Sequence, residues 1–544
     1  MRLKKIFFLI VSVYFATLWS QSLTPPISQP IYKLLEELST KGAIDIDLST
    51  MPIPLSEVIQ SLEEAKLSTR VTDVDKERID RYLKEYLIFQ AASASNPSRH
   101  FYFHDSLSEN YRVFGYRDTV FAFTADVALG FSYTSRNYVS YNQTSGVDIQ
   151  GVFGEGLSYS FRYRDFQEKG EGIDTLRQFT PKTGFGFVRV KDDHIDHNEV
   201  FGSIGYSWNW GTVYLAKEHL KWGYGYNSSI VFSNKAPSFP HIRFSVSPAS
   251  WMRFDYMHGV LNSQVIDSSE TRININPERL STSLVSKYIV ANKLSLYPTA
   301  NLKLSLGESV VYSDKFEPIY LIPVLFFRLA DHYTMGAYDE AGANAQLFAD
   351  IEYRFPTYQT ALYGSVLIDE FSISSIFSSD VKPSATAFTL GIKKTNAILE
   401  NASLTLEYTR LNPFVYYHSD DADMFTNYRY QLGDWIGSNA DRVLIAAKYN
   451  FPYFITFEAR LEHIRRGEKE DPTQPRYQPN QTFLFGDRET TTFIHLTAEW
   501  SPVQSVRTVL SYNYSNLQGT RRAETPVWLA GVNNGLTFEI ALGL

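Results

Sequence analysis

The chain has no cysteine in 544 residues. That excludes a disulfide scaffold, thiolate metal sites and a cysteine nucleophile. It also has no apolar run of the ~18 residues that a membrane helix requires. The nearest approach beyond the N-terminus, Ile319 to Phe327, is interrupted by Pro323. Glycine-rich phosphate loops and dinucleotide fingerprints are missing in any strand–turn–helix context, as is a Gly-x-Ser-x-Gly nucleophile elbow. Positive charge is in deficit, with a formal net charge of −8. Nucleic acid is therefore not an expected partner, because its affinity comes from lysine and arginine neutralising phosphate.

Aromatic residues are abundant: 36 Tyr and 38 Phe, with aromatics at 15% of the chain. Residues 121–134 read FAFTADVALGFSYT. With a side-chain period of two, Phe121, Phe123, Ala125, Val127, Leu129, Phe131 and Tyr133 fall on one face and small or polar residues on the other. The pattern recurs at Leu157, Tyr159, Phe161 and Tyr163, opposite Ser158, Ser160, Arg162 and Arg164. It returns at Leu302–Leu306, Leu404–Tyr408, Ile455–Leu461 and Leu510–Tyr514, and closes the chain in LTFEIALGL. One apolar and one polar face per strand, with aromatics in excess, predict a transmembrane antiparallel β-barrel. The negative mean hydropathy agrees, since only every second residue meets lipid. No repeat of 40–50 residues supports the competing propeller. Residues 99–544 are assigned to the barrel, and their length corresponds to about 16–20 strands, with 18 expected. The closing segment resembles the terminal strand that the barrel-assembly machinery recognises, except that Leu544 stands where an aromatic residue is usual.

Ahead of the barrel, MRLKKIFFLIVSVYFATLWS has the basic start and short apolar core of a secretory signal peptide, assigned to residues 1–20. Its removal with Arg2, Lys4 and Lys5 takes the mature chain to about −11. Residues 21–98 form a periplasmic helical bundle and linker. Helices are expected over Ile31, Leu34, Leu35 and Leu38, then from a Ser56 cap over Val58, Ile59 and Leu62, then from Asp73 over Ile79, Tyr82 and Tyr86.

The densest chemistry lies in WNWGTVYLAKEHLKWGYGYNSSIVFSNKAPSFP, residues 208–240. Aromatic faces beside planar polar side chains are what saccharides bind. The candidate ligand-contacting residues are Lys217, Glu218, Lys221, Trp222, Tyr224, Asn234 and, from LYGSVLIDEF, Asp369. Stacking would come from the rings and selectivity from the polar groups. A glycine-kinked strand with interface aromatics explains the same residues equally well.

The segment KWGYGYNSSIVFSNKAPSFPHI, with Trp222, Gly223, Gly225, Ser233, Asn234, Ala236 and Pro240, resembles the core motif of the Wzi capsule-assembly family. So do LYGSVLIDEF (Tyr363, Gly364, Asp369, Glu370, Phe371) and YQLGDWIGSNADRVLI (Gly433, Gly437, Ala440, Asp441, Arg442), with WGYG replacing the WGPG common in that family. The resemblance implies an outer-membrane barrel of a Gram-negative bacterium. It also implies a noncatalytic role in binding, organising or anchoring capsular or exopolysaccharide, within outer-membrane lipid and lipopolysaccharide.

A porin or substrate-specific channel is the alternative, and a glycan-modifying enzyme a more distant one. Asp369 and Glu370 are adjacent, so they face opposite ways in a strand and cannot be the carboxylate pair of a glycosidase, though Glu218 could face Asp369 across the lumen. Two acidic segments, Asp192, Asp193, His194, Asp196 and His197, and Asp420, Asp421 and Asp423, lack a complete metal-loop pattern. They are expected to be solvated, and no cofactor or metal is expected.

Overall fold

In the computed structural model, the described residues are 22–90, 98–101, 112–136, 138–273, 280–334, 342–369, 385–470 and 482–543. The proposed signal peptide and most of the proposed linker lie outside them.

The alternating segment Phe121–Ser135 is a strand, and both faces are as expected. Leu129, Phe131 and Tyr133 are exposed, whereas Ala122, Thr124 and Ala128 are buried. Eighteen antiparallel strands form a closed barrel. It closes where the last strand, Gly531–Leu542, pairs with the first, from Leu536 opposite Ser135 to Leu542 opposite Leu129. Below that seam a short hairpin, Ser98–Phe101 with Phe114–Arg117, takes over the lower part of the first strand. The stretch Val147 to Tyr163 divides into two strands, Val139–Phe153 and Leu157–Gly170, turning at residues 154–156. The second runs on through Gln167 to Gly170. One end of the barrel carries tight turns and the other long connections, which sets the periplasmic and extracellular ends respectively.

Three helices close the periplasmic end. The first, α1, spans Ile31–Thr40 and buries Ile31, Leu34, Leu35 and Leu38 on one face. It stops at Gly42, whose φ of +69° suits glycine. The second, α2, spans Leu55–Leu67. Its cap is Pro54, not Ser56: proline lacks an amide hydrogen, which costs nothing ahead of a first turn that has no intrahelical acceptor. The third, α3, spans Asp73–Tyr86 and opens with a capping box in which Thr72 accepts from the Asp75 amide and Asp75 from the Thr72 amide. Asp75 also receives the buried Lys41 ammonium at 2.5 Å, fastening α3 to the end of α1.

Polar clamps dock the bundle on the barrel. Glu37 accepts from Arg78 at 2.6 Å and from Lys448 at 2.8 Å. Arg354 donates to Ser39 Oγ and the Ile44 carbonyl, and Arg81 to the carbonyls of Ser501 and Pro502. These clamps imply a stability maximum in pH. Burial alone would raise the Glu37 carboxyl pKa, but Arg78 and Lys448 outweigh it and hold the group well below the usual carboxylate range. Its contribution is present above pH ~4.5 and is lost on acidification. Glu85 on α3 behaves oppositely, since burial pushes it up to about 7. Its contribution is full below the unfolded carboxylate value and is lost as pH rises through about 7. Thermal unfolding followed at pH 5, 6, 7 and 8 should therefore show a downward slope that Glu85→Gln flattens; an equal slope in the variant would contradict the assignment.

Candidate functional site

Between α1 and α2 the chain leaves the bundle and enters the lumen. There Thr50 and Met51 pair antiparallel with Trp222 and Lys221, so the N-terminal segment and the WGYG motif form one two-stranded plug. Trp222 also exchanges backbone hydrogen bonds with Phe232, at 3.2 and 3.3 Å. Gly223 has φ +89° and donates its amide to the Ser49 carbonyl. A Cβ there would stand 2.7 Å from Ser229 Oγ, so the first glycine of WGYG is needed both for its conformation and for close approach.

Charge locks the plug to the wall. Lys293 and Asp350, on neighbouring parts of the barrel, are 2.9 Å apart and fully buried. Lys293 also donates to the carbonyl and hydroxyl of Ser49. Asp350 accepts from Ser365, whose hydroxyl oxygen in turn accepts from the Tyr224 amide. A second centre is Arg442, 1% exposed, which faces Asp434 at 3.0 Å, Glu407 at 3.4 Å and Glu462 at 3.9 Å. Glu407 also accepts from the Tyr226 amide and the Tyr363 hydroxyl. The three motifs noted in the sequence thus converge. Gly433 lies where a Cβ would collide with the Tyr416 hydroxyl, and its carbonyl accepts from Ser233.

The candidate saccharide residues separate into two groups. Lys221, Tyr224 and Asn234 line a cavity of about 470 Å³, bounded by residues 23–30 and α1 and reaching the periplasmic end. Lys33, Tyr226 and Lys393 line it too, and sequence alone could not have found Lys33 or Lys393, which lie far from the motif in the chain. The other four belong to the framework. Trp222 is 2% exposed, its ring packed edge-on against Phe232 at 5.4 Å and Phe348 at 6.2 Å, so it offers no face for stacking. Lys217 donates to the Val200 carbonyl and Ser238. Glu218 is buried between Arg162 and Arg243, and Asp369 is buried and accepts from the Tyr416 amide at 2.5 Å. With Glu218 and Asp369 each held by separate partners, they do not form a hydrolytic pair. Glu370 lies outside the described residues. The lumen arginines and lysine are likewise engaged: Arg164 forks onto Asp148, and Lys303 meets Glu352.

The acidic segments do not converge either. Asp193 and Asp196 flank His194, but His197 turns to the other face of the strand, stacked on Phe166 and 3.5 Å from Glu168. Asp420 caps its own short turn through the Ala422 amide, and burial pushes Asp423 up to about 6. Among the described residues no three acidic or histidine side chains are grouped as a metal site.

The extracellular rim carries a further aromatic surface. Trp528 is half-buried, its indole N–H donating to the Ile173 carbonyl, with the Arg136 guanidinium 5.1 Å from its ring centroid. Tyr138 is exposed nearby, against Gly172. A lone tryptophan after a proline in the polar stretch RRAETPVWLAG was the available sequence signal.

Among solved structures, the chain is similar in fold to Wzi of Escherichia coli, described as an outer-membrane carbohydrate-binding β-barrel involved in group 1 capsule assembly. The TM-score is 0.59 at 14% identity, over 95% of this chain and 99% of that one. OccK5 (OpdH) of Pseudomonas aeruginosa aligns at TM-score 0.42 and 10% identity, over 77% of this chain and 98% of that one. No curated protein sequence matches closely enough to inform the role. The sequence profile of the family described as capsule assembly protein Wzi matches residues 130–524. The chain is an outer-membrane β-barrel that belongs to the Wzi capsule-assembly family.

Proposed function

We propose that this barrel binds capsular or exopolysaccharide at the cell surface and organises or anchors it there, without transforming it. The observation that carries this reading is the plug. The pairing of Thr50–Met51 with Lys221–Trp222, locked by Lys293 and Asp350, fills the lumen with side chains where a channel needs space. Family membership and the carbohydrate binding of the E. coli relative support it. A surface glycan meets the extracellular rim first. The half-buried Trp528, with Arg136 over its ring, and the exposed Tyr138 present aromatic surface beside polar groups there. Lys221, Tyr224 and Asn234 face a cavity that would serve a glycan arriving from the periplasmic side. Lipid and lipopolysaccharide surround the wall, and the assembly machinery is the partner during insertion.

The test is retention of fluorescent surface polysaccharide, purified from the producing strain, by vesicles carrying the refolded barrel. Trp528→Ala with Tyr138→Ala is expected to weaken binding about tenfold, the loss of one or two ring contacts, while Lys221→Ala leaves it unchanged. The converse result would move the site to the inner cavity. Unchanged binding in all variants would refute both. In planar bilayers the barrel is expected to be silent, and steady conductance would favour the channel.

A further inference from the structure

The longest apolar run of the mature chain has no part in the plug. It lies between the strands Leu302–Ser313 and Asn344–Phe355, in an extracellular connection. Its position follows from the register. Lys293 points into the lumen, where it meets Ser49, so its neighbour Asn292 points outward, level with Tyr256 on one side and Glu308 on the other. Tyr288, Val290, Val310 and Tyr312 share that outward face. Such residues should meet lipid, as Leu306 does at 65% exposure, yet Val290, Val310 and Tyr312 are fully covered.

Tyr320, Phe327 and Ala330 of the connection cover them. The connection therefore bends back over the rim and runs down the outside of the barrel. The Tyr320 ring packs tilted against Tyr312 with centroids 4.7 Å apart, and the Tyr320 carbonyl accepts from the Tyr256 hydroxyl. Polar pins hold it. Asn292 donates to the carbonyls of Pro323 and Leu325 and to Glu308. Glu308 accepts from the Phe327 amide at 2.9 Å and the Arg328 amide at 3.5 Å, at the N-terminus of the short helix Phe327–Thr334. Glu308 stands six residues above Leu302, roughly 15 Å up a tilted strand in an apolar band about 25 Å tall. A bare carboxylate at that depth is costly, and two helix N-terminal amides satisfy it.

The far side of this flap is an apolar ridge: Leu321, Ile322, Val324, Phe326 and Leu329 are 42–81% exposed. Charge stands at Asp314, Lys315 and Glu317 before the ridge and at Arg328 in its helix, and none occurs from Pro318 to Phe327. The ridge continues the band of Leu306 and Ile351 on the bare wall. We propose that residues 316–330 form a re-entrant flap embedded among the acyl chains of outer-leaflet lipid, pinned to the barrel by Glu308 and Asn292. Its occupant is hydrocarbon, and the flap widens the lipid-contacting surface on one side of the barrel.

The absence of native cysteine makes the experiment clean. Val324→Cys carries a bimane probe in the full barrel, reconstituted in vesicles of phosphatidylcholine brominated along its acyl chains. Quenching by bromolipid and not by aqueous iodide is expected, matching a probe at Leu406→Cys on the bare wall and opposite to one at Leu67→Cys on α2. Quenching by iodide alone would place the flap in water and overturn the proposal. Protection from both quenchers would mean that a second copy or another protein covers the ridge, which overturns it equally. In the Glu308→Leu background the probe should pass from bromolipid to iodide quenching, with the barrel still folded by its gel mobility. Unchanged bromolipid quenching would refute the pin.

Discussion

Lys293→Met is expected to destabilise the barrel by about 3–5 kcal/mol. The methionine fills the volume but leaves Asp350 buried without its cation. It also removes the ammonium that holds Ser49, so the plug should loosen before the wall does. Two measurements check this. Urea unfolding in vesicles should show the loss, and limited proteolysis of the folded variant should cut between Asp45 and Pro54. The double variant Lys293→Met with Asp350→Leu should recover most of the stability, because the unpaired charge and not the missing bond carries the cost. It should not recover the protease resistance, since Ser49 still lacks its donor. If the single variant unfolds like the native barrel, the lock is not where the geometry places it.

Arg442→Met is expected to cost as much and to act at the other end of the plug. One guanidinium faces Asp434, Glu407 and Glu462, each 3% exposed or less. Without it Asp434 and Glu407 lose their cation in a dry site, while Glu462 keeps Arg460 at 2.8 Å, and like charges that close cannot all stay ionised. Glu407 also holds the Tyr226 amide and the Tyr363 hydroxyl. Its displacement should release the strand Lys221–Trp222 and the segment around Gly433 together. The expected result is a loss of about 3–5 kcal/mol, with new protease cuts in residues 412–439 and 223–236. Intact loops at reduced stability would show that Arg442 supports the wall alone. Arg442→Lys keeps the charge but not the fork, and should fall between the two.

The two clamps show how far the sequence reaches. Alternation at Phe121–Ser135 was legible because a strand's two faces meet different solvents, and that difference is written residue by residue. Length bounded the strand count to about 16–20, with 18 expected. The helices followed from the spacing of Leu34, Leu35 and Leu38 and of Ile79 and Tyr82, with only the cap of α2 misplaced. The motif around Trp222 was visible as dense, but not as buried. A tryptophan that stacks on a sugar and one that fills a plug differ only in what lies across the lumen, and here that is Phe348, 126 positions away in the chain. The run Ile319–Phe327 was legible as apolar and too short to span, while its use on the outer wall depends on a carboxylate and an amide on two other strands.

By itself, then, the sequence determined everything that depends on local periodicity and solvent. That covers an outer-membrane β-barrel of about 16–20 strands with 18 expected, a helical bundle before it and a family likeness in three motifs. Tertiary structure alone decided which of those motif residues face open space. Burial of a lumen side chain is a property of the opposite wall and of the loop folded between. The N-terminal segment at Ser49 reaches that loop only because the closed barrel holds Lys293 and Asp350 where both can grip it.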